Sequence, residues 1–127
     1  LRDNDPRERT ETAMQYALLI YTKPGTVESL SPAEREALSL EYYALRDEPG
    51  VLSGAALQPV TAATTVRLAD GKPLVTDGPF ADTKEVFGGY YLYEADNLDQ
   101  AAEMAARIPA LRLGGTIEIR PLMGKAS

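Results

Sequence analysis

The 127-residue chain has no histidine, no cysteine and no tryptophan, and only two phenylalanines. Without histidine, a Ser-His-Asp triad, an imidazole metal ligand and imidazole acid–base catalysis are excluded within one chain. Without cysteine there is no disulfide, thiol nucleophile or thiolate metal site, which fits a reducing compartment and gives a cytoplasmic expectation. What remains for chemistry is Asp, Glu, Lys, Arg and Tyr, with any metal limited to oxygen ligands. Basic stripes are missing too: 13 Lys and Arg stand against 19 Asp and Glu, a formal charge of −6. A protein that displaces counterions from phosphate backbones has the opposite balance, so no nucleic-acid partner is expected. The apolar runs are too short to span a bilayer, so no membrane partner is expected. Gly88-Gly89 precedes a strand pattern and lacks a dinucleotide fingerprint, so no cofactor site is assigned there or elsewhere, and no metal site.

The length allows one domain with a small core, for which oligomerisation would be a benefit. Hydrophobic residues make up 44% of the chain and include seven Tyr, whose hydroxyls need partners when buried and which are candidates to line a cavity. Residues 1–13 carry seven charges and almost nothing apolar, so they read as a flexible N-terminal arm or a cloning remnant ahead of a single domain at 14–123 and a short tail at 124–127. Gln15 to Tyr21 is a nearly continuous apolar run, as in a central strand buried on both faces. Ser31-Pro32-Ala33-Glu34 combines an N-cap, a first-turn proline and a capping-box glutamate, and Leu38, Tyr42 and Leu45 follow at helical spacing until Pro49-Gly50.

Val51 to Gln58 predicts a strand, and Thr64 to Leu68 with Lys72 to Thr76 predicts a hairpin about Asp70-Gly71. Gly88 to Glu94 predicts a strand whose two glycines permit a bulge. Asp96 or Asn97 caps a second helix with Leu98, Ala101, Ala102, Ala105 and Ile108 as its apolar stripe, and Thr116 to Arg120 alternates as a last strand. The fold class is α+β: a ferredoxin-like βαββαβ protomer with an extra β-hairpin and an antiparallel sheet. Two helices cover one face of such a sheet, so Arg67, Glu118 and Arg120 are expected on the other face, which a two-fold partner would cover.

The segment with most to say about a site is Val75 to Glu85. Asp77-Gly78-Pro79 is a turn that backbone physics explains, with Gly supplying unusual dihedrals and Pro fixing φ. Phe80 after it predicts a loop folded onto the body or onto a second subunit. Asp77 is the catalytic candidate, as a general acid or base, against the plainer reading of an Asp that caps its own turn. Arg67 and Arg120 are candidates to clamp a carboxylate, against pairing with a local acid such as Glu118. Lys84 and Glu85 offer a second acid–base pair, against a solvated ion pair. The full set of ligand-contacting candidates is Gln58, Arg67, Lys84, Glu118 and Arg120.

Asp77-Gly78-Pro79-Phe80, with Leu57-Gln58-Pro59, Thr64-Thr65-Val66-Arg67, Thr83-Lys84-Glu85, Gly88-Gly89-Tyr90-Tyr91, Ala106-Arg107-Ile108-Pro109 and Ile117-Glu118-Ile119-Arg120-Pro121, resembles the YCII-related proteins of the DGPF subfamily from Tyr16 to about Met123. The resemblance implies a bacterial homodimer built sheet to sheet as a dimeric α+β barrel, with a cleft between sheet, helices and partner. YCII relatives carry a His-Asp pair considered catalytic, of which only Asp77 carries over here. The fold hosts enzymes and non-catalytic binders alike, so whether this chain is an enzyme stays open. The resemblance also implies association with extracytoplasmic-function sigma factors. Two expectations follow. One is a homodimer that binds a small organic ligand, acidic ones included, near the Asp-Gly-Pro-Phe loop, and the other a non-catalytic regulatory or interaction module.

Overall fold

A computed structural model describes residues 13–125. The arm expected over residues 1–13 lies, apart from Ala13, outside the described residues. The elements are β1 (Met14–Thr22), α1 (Pro32–Arg46), β2 (Val51–Ala56), β3 (Thr64–Ala69), β4 (Lys72–Asp77), β5 (Val86–Ala95), α2 (Leu98–Ala105) and β6 (Thr116–Pro121), with 3-10 turns at Val60–Ala62 and Pro109–Leu113. The fold is mixed α/β, with two helices and two antiparallel sheets. One sheet has four strands in the order β2-β5-β1-β6, and the other is the β3–β4 hairpin by itself.

β1 is the axis of the large sheet and pairs with β5 from Met14 opposite Ala95 to Thr22 opposite Val86. Tyr16, Leu18 and Ile20 alternate with half-buried Ala17 and Leu19. The continuous apolar run is therefore a strand with one sealed face and one open face, rather than a strand sealed on both. The buried face meets Tyr91, Tyr93 and Ala95 of β5, Leu45 of α1, and Ala101, Met104 and Ile108 from α2 and its C-terminal turn in one core. Both helices cover this face. In α2 the buried stripe is Ala101, Met104 and Ala105, continued by Ile108. Leu98 and Ala102 are exposed instead of joining it: Leu98 opens the first turn, and Ala102 lies about 100° around the helix from Ala101.

Local signals set the element ends. Ser31 Oγ accepts from the Glu34 N–H at 3.1 Å and Glu34 Oε1 accepts from the Ser31 N–H at 2.9 Å, closing the capping box that starts α1. Asp70 and Gly71 both adopt positive φ, 51° and 79°, as a two-residue hairpin turn requires. β2 stops at Ala56, short of the expected Gln58, because Pro59 lacks an N–H to continue the ladder. On β5 the register slips where Ile20 faces Gly89 but Tyr21 faces Phe87, so Gly88 is the extra residue of a bulge. The slip brings Phe87 beside Tyr21, with ring centroids 5.6 Å apart.

Among the described residues, no helix or further strand packs extensively over the other face of the large sheet. It presents Ala17, Leu19, Tyr90 and Leu92 at its centre, and Glu118 and Arg120 along β6. Arg67, which the sequence reading placed on this face, is not there, because β3 and β4 form a sheet of their own.

Candidate functional site

A cleft of about 850 Å³ opens beside the sheet, between the β2–β5 end, α1, the loop at 23–30 and the segment at 57–61. Its size falls within the range of small-molecule sites. Three features of the sequence shape it. Gly54 on β2 carries no side chain, and a Cβ there would lie 2.7 Å from Tyr91 Cδ1, so glycine lets the Tyr91 ring lie across β2. The Tyr91 hydroxyl donates to the Tyr42 carbonyl oxygen at 2.7 Å, fastening β5 to α1 beneath the cleft. The Tyr42 and Tyr91 rings stack with centroids 6.4 Å apart.

Burial pushes the Tyr91 phenol up to about 12, with the neighbouring Tyr42 adding to the shift and Arg46 opposing it. Burial likewise raises Tyr42. Both phenols are neutral hydrogen-bonding groups at physiological pH rather than bases.

The charged groups of the cleft are few. Lys23 and Arg46 are its cations and Glu28 its acid, with Gln58 on the wall formed by the 57–61 segment. The Arg46 guanidinium carbon stands 6.0 Å from the Tyr43 ring centroid. Neither cation is held in an ion pair among the described residues, whereas Arg107 pairs with Glu48 and Arg112 with Glu41 on the outer surface. An apolar cleft with two cations that form no ion pair among the described residues suits an organic body with a negatively charged end. Among the described residues no group of three or more carboxylates gathers as a metal site.

The residues nominated from sequence are dispersed. Gln58 lines the cleft, and Asp77, Arg67, Lys84, Glu118 and Arg120 do not. Asp77 ends β4 opposite Thr64 and is exposed. The turn after it folds back along one face of the hairpin. The Gly78 N–H donates to the Ala63 carbonyl at 2.7 Å, Thr65 Oγ1 to the Gly78 carbonyl at 2.7 Å, and an Arg67 guanidinium N–H to the Phe80 carbonyl at 3.3 Å. Arg67 thus holds the turn. Phe80 is 75% exposed and does not fold onto its own protomer. Lys84 is exposed in the connector, where Glu85 accepts from Thr116 Oγ1 at 3.0 Å. Glu118 and Arg120 share the open sheet face as expected.

Sequence reasoning missed Lys23, Tyr43 and Arg46 as cleft residues. The signal available was Tyr42-Tyr43 followed by Arg46 on α1, a pair of amphipathic rings and a cation within one helical turn.

Fold and cleft together define a small mixed α/β protein with an apolar, cation-rimmed cavity on the helical side of its main sheet. The chain belongs to the YCII-related domain family, whose model matches residues 14–124. It is 38% identical over 114 residues to an uncharacterised protein of Rhizobium meliloti (strain 1021), an alignment covering 86% of this chain and 92% of that one.

Proposed function

We propose that the protein is a cytoplasmic homodimer of the DGPF subfamily that binds a small organic anion, an aromatic or branched carboxylate, in the 850 Å³ cleft. The observation that carries this reading is the pairing of an apolar cavity with Lys23 and Arg46 at its rim in a chain of net charge −6. The Asp77 to Phe80 tetrapeptide supports the subfamily. The strand order β2-β5-β1-β6 supports a ferredoxin-like protomer, and the uncovered sheet face supports pairing with a second copy as a dimeric α+β barrel.

Calorimetric titration with benzoate and with branched aliphatic carboxylates tests the cleft. Removing either cation by Lys23→Ala or Arg46→Ala should weaken binding about fivefold, roughly 1 kcal/mol each. Leu38→Trp, which fills the cavity from α1, should abolish binding without unfolding the protein. Affinity unchanged in all three variants would refute the assignment.

A second reading is a non-catalytic module that acts on a protein partner such as an extracytoplasmic-function sigma factor. The exposed position of Asp77, away from the cleft, favours it over a catalytic reading. Asp77→Asn should leave carboxylate binding unchanged if the cleft is the site. A loss of binding would return the acid to the chemistry.

A further inference from the structure

Among the described residues five glycines line the cleft, Gly25, Gly54, Gly88, Gly89 and Gly115. Four of them have a reason in the fold. Gly25 adopts a φ of 85°, in the left-handed region that a side chain disfavours. A Cβ at Gly54 would strike the Tyr91 ring, one at Gly89 would lie 2.7 Å from the Ala55 carbonyl oxygen, and one at Gly115 would lie 2.5 Å from the Tyr21 carbonyl oxygen. Gly88 has no such reason. Its φ is not positive, and a Cβ there would meet only Thr22 Oγ1 at 3.6 Å and the Ile20 carbonyl oxygen at 3.9 Å, both ordinary contact distances.

The bulge does not require glycine either. Gly88 is its extra residue, and only the bulge type built on a left-handed residue selects glycine. The Gly88 carbonyl accepts from the Leu57 N–H at 2.9 Å, a bond that any residue can make. Glycine inside a strand is less stable than alanine, so stability alone favours a side chain at 88. What that side chain would take is space in the cleft, since its nearest neighbour, Thr22, is itself on the cleft wall.

We propose that Gly88 is a specificity-determining position, which leaves a strip of bare backbone on the cleft floor for the planar ring of an aromatic carboxylate to lie on. A flat ring reaches van der Waals contact with bare backbone over its whole face, whereas a branched aliphatic chain touches the same strip at a few points. The bulge gives up a regular ladder position and the glycine gives up strand stability, and both losses serve the cleft. The inference rests on the carboxylate cleft proposed above and narrows its ligand to flat ones.

Thermal melts and calorimetric titration with benzoate and isovalerate, on wild type and on Gly88→Ala, test it together. Gly88→Ala should leave Tm unchanged or raise it by up to about 4 °C, because the backbone there accepts a side chain without strain. The same variant should weaken benzoate binding at least about fivefold and isovalerate binding less than about twofold, since the added methyl group lifts a flat ring off the floor while a branched chain repacks around it. In wild type, intermolecular NOEs should join the benzoate ring protons to the Gly88 Hα. Benzoate affinity unchanged in Gly88→Ala, or both acids weakened alike, would overturn the inference and leave the carboxylate cleft standing. A lower Tm in Gly88→Ala would also overturn it, by showing that the fold needs this glycine. Wild-type protein that binds neither acid would overturn the cleft reading itself, and this inference with it.

Discussion

Replacing Tyr91 by phenylalanine keeps the ring over Gly54 and removes one hydroxyl, which isolates the bond between β5 and α1. At neutral pH, losing the 2.7 Å hydrogen bond to the Tyr42 carbonyl should cost about 1 kcal/mol, since that carbonyl also accepts within the helix. For a domain of this size that is a fall in Tm of about 4 °C. The alkaline behaviour is more distinctive. The phenol ionises at its ordinary value of 10.0 when unfolded and at about 12 when folded. As pH rises past 10 the unfolded chain gives up its proton first, binds fewer protons than the native state, and gains stability relative to it. The contribution of the neutral phenol is therefore fully present below pH 10 and is lost as pH rises toward about 12. Two units amount to about 2.7 kcal/mol as an upper bound, and solvent screening at the cleft edge reduces this to roughly 1–1.5 kcal/mol. Tyr91→Phe lacks that loss, while Tyr93, also raised by burial, titrates alike in both proteins, and Tyr42 loses only its repulsion with the Tyr91 phenolate. Urea unfolding followed by circular dichroism at intervals from about pH 8 to about pH 12 should show wild type more stable at first and the two curves meeting near the top of the range. A gap that stays constant across that window would refute the claim that this hydroxyl is desolvated.

Leu18, fully buried at the centre of β1, should cost about 2–5 kcal/mol when replaced by alanine, read from the shift in urea midpoint. Gly54→Ala puts a methyl group 2.7 Å from the Tyr91 ring and 2.9 Å from the Tyr90 carbonyl, so it should destabilise by about 1–3 kcal/mol and weaken carboxylate binding together. Ser31→Ala removes the side-chain half of the capping box and keeps the backbone N–H that donates to Glu34; hydrogen bonds from the Ser31 backbone and, second, its side chain hold the Glu34 carboxyl below its ordinary value, so an NMR titration should find Glu34 moved part of the way upward in the variant. The stabilisation from those bonds exists above the unfolded carboxyl pKa and disappears as pH falls through the folded one, and an unshifted Glu34 would contradict it.

What was legible in the sequence was local. Ser31 to Glu34 announces a helix start because four adjacent residues satisfy one another, and Asp70-Gly71 announces a hairpin because positive φ at two successive positions suits few other pairs. Gly88-Gly89 announced an irregularity, and the bulge falls there. Less legible was where the hairpin goes. The alternation of Thr64 to Leu68 is the same whether β3 joins a large sheet or stands apart, so placing Arg67 beside Glu118 and Arg120 was beyond period-2 reasoning. The cleft was harder still, since Lys23, Arg46, Gly54 and Gln58 come from four segments and meet only in the folded chain. Each of them taken alone is an ordinary loop, helix or strand residue.

The turn at Val60–Ala62 joins two parts described separately above. Val60 and Thr61 line the cleft, and two residues later Ala63 accepts the Gly78 N–H at the root of the hairpin. Cleft wall and hairpin base are thus one short mechanical joint, with no spare chain between them to absorb a displacement. If a load on the hairpin moves the wall, a molecule held against the wall moves the hairpin by the same coupling free energy. Hydrogen exchange at the Gly78 amide, measured with the cleft empty and with a carboxylate added, reads how much of such a displacement those few residues pass on.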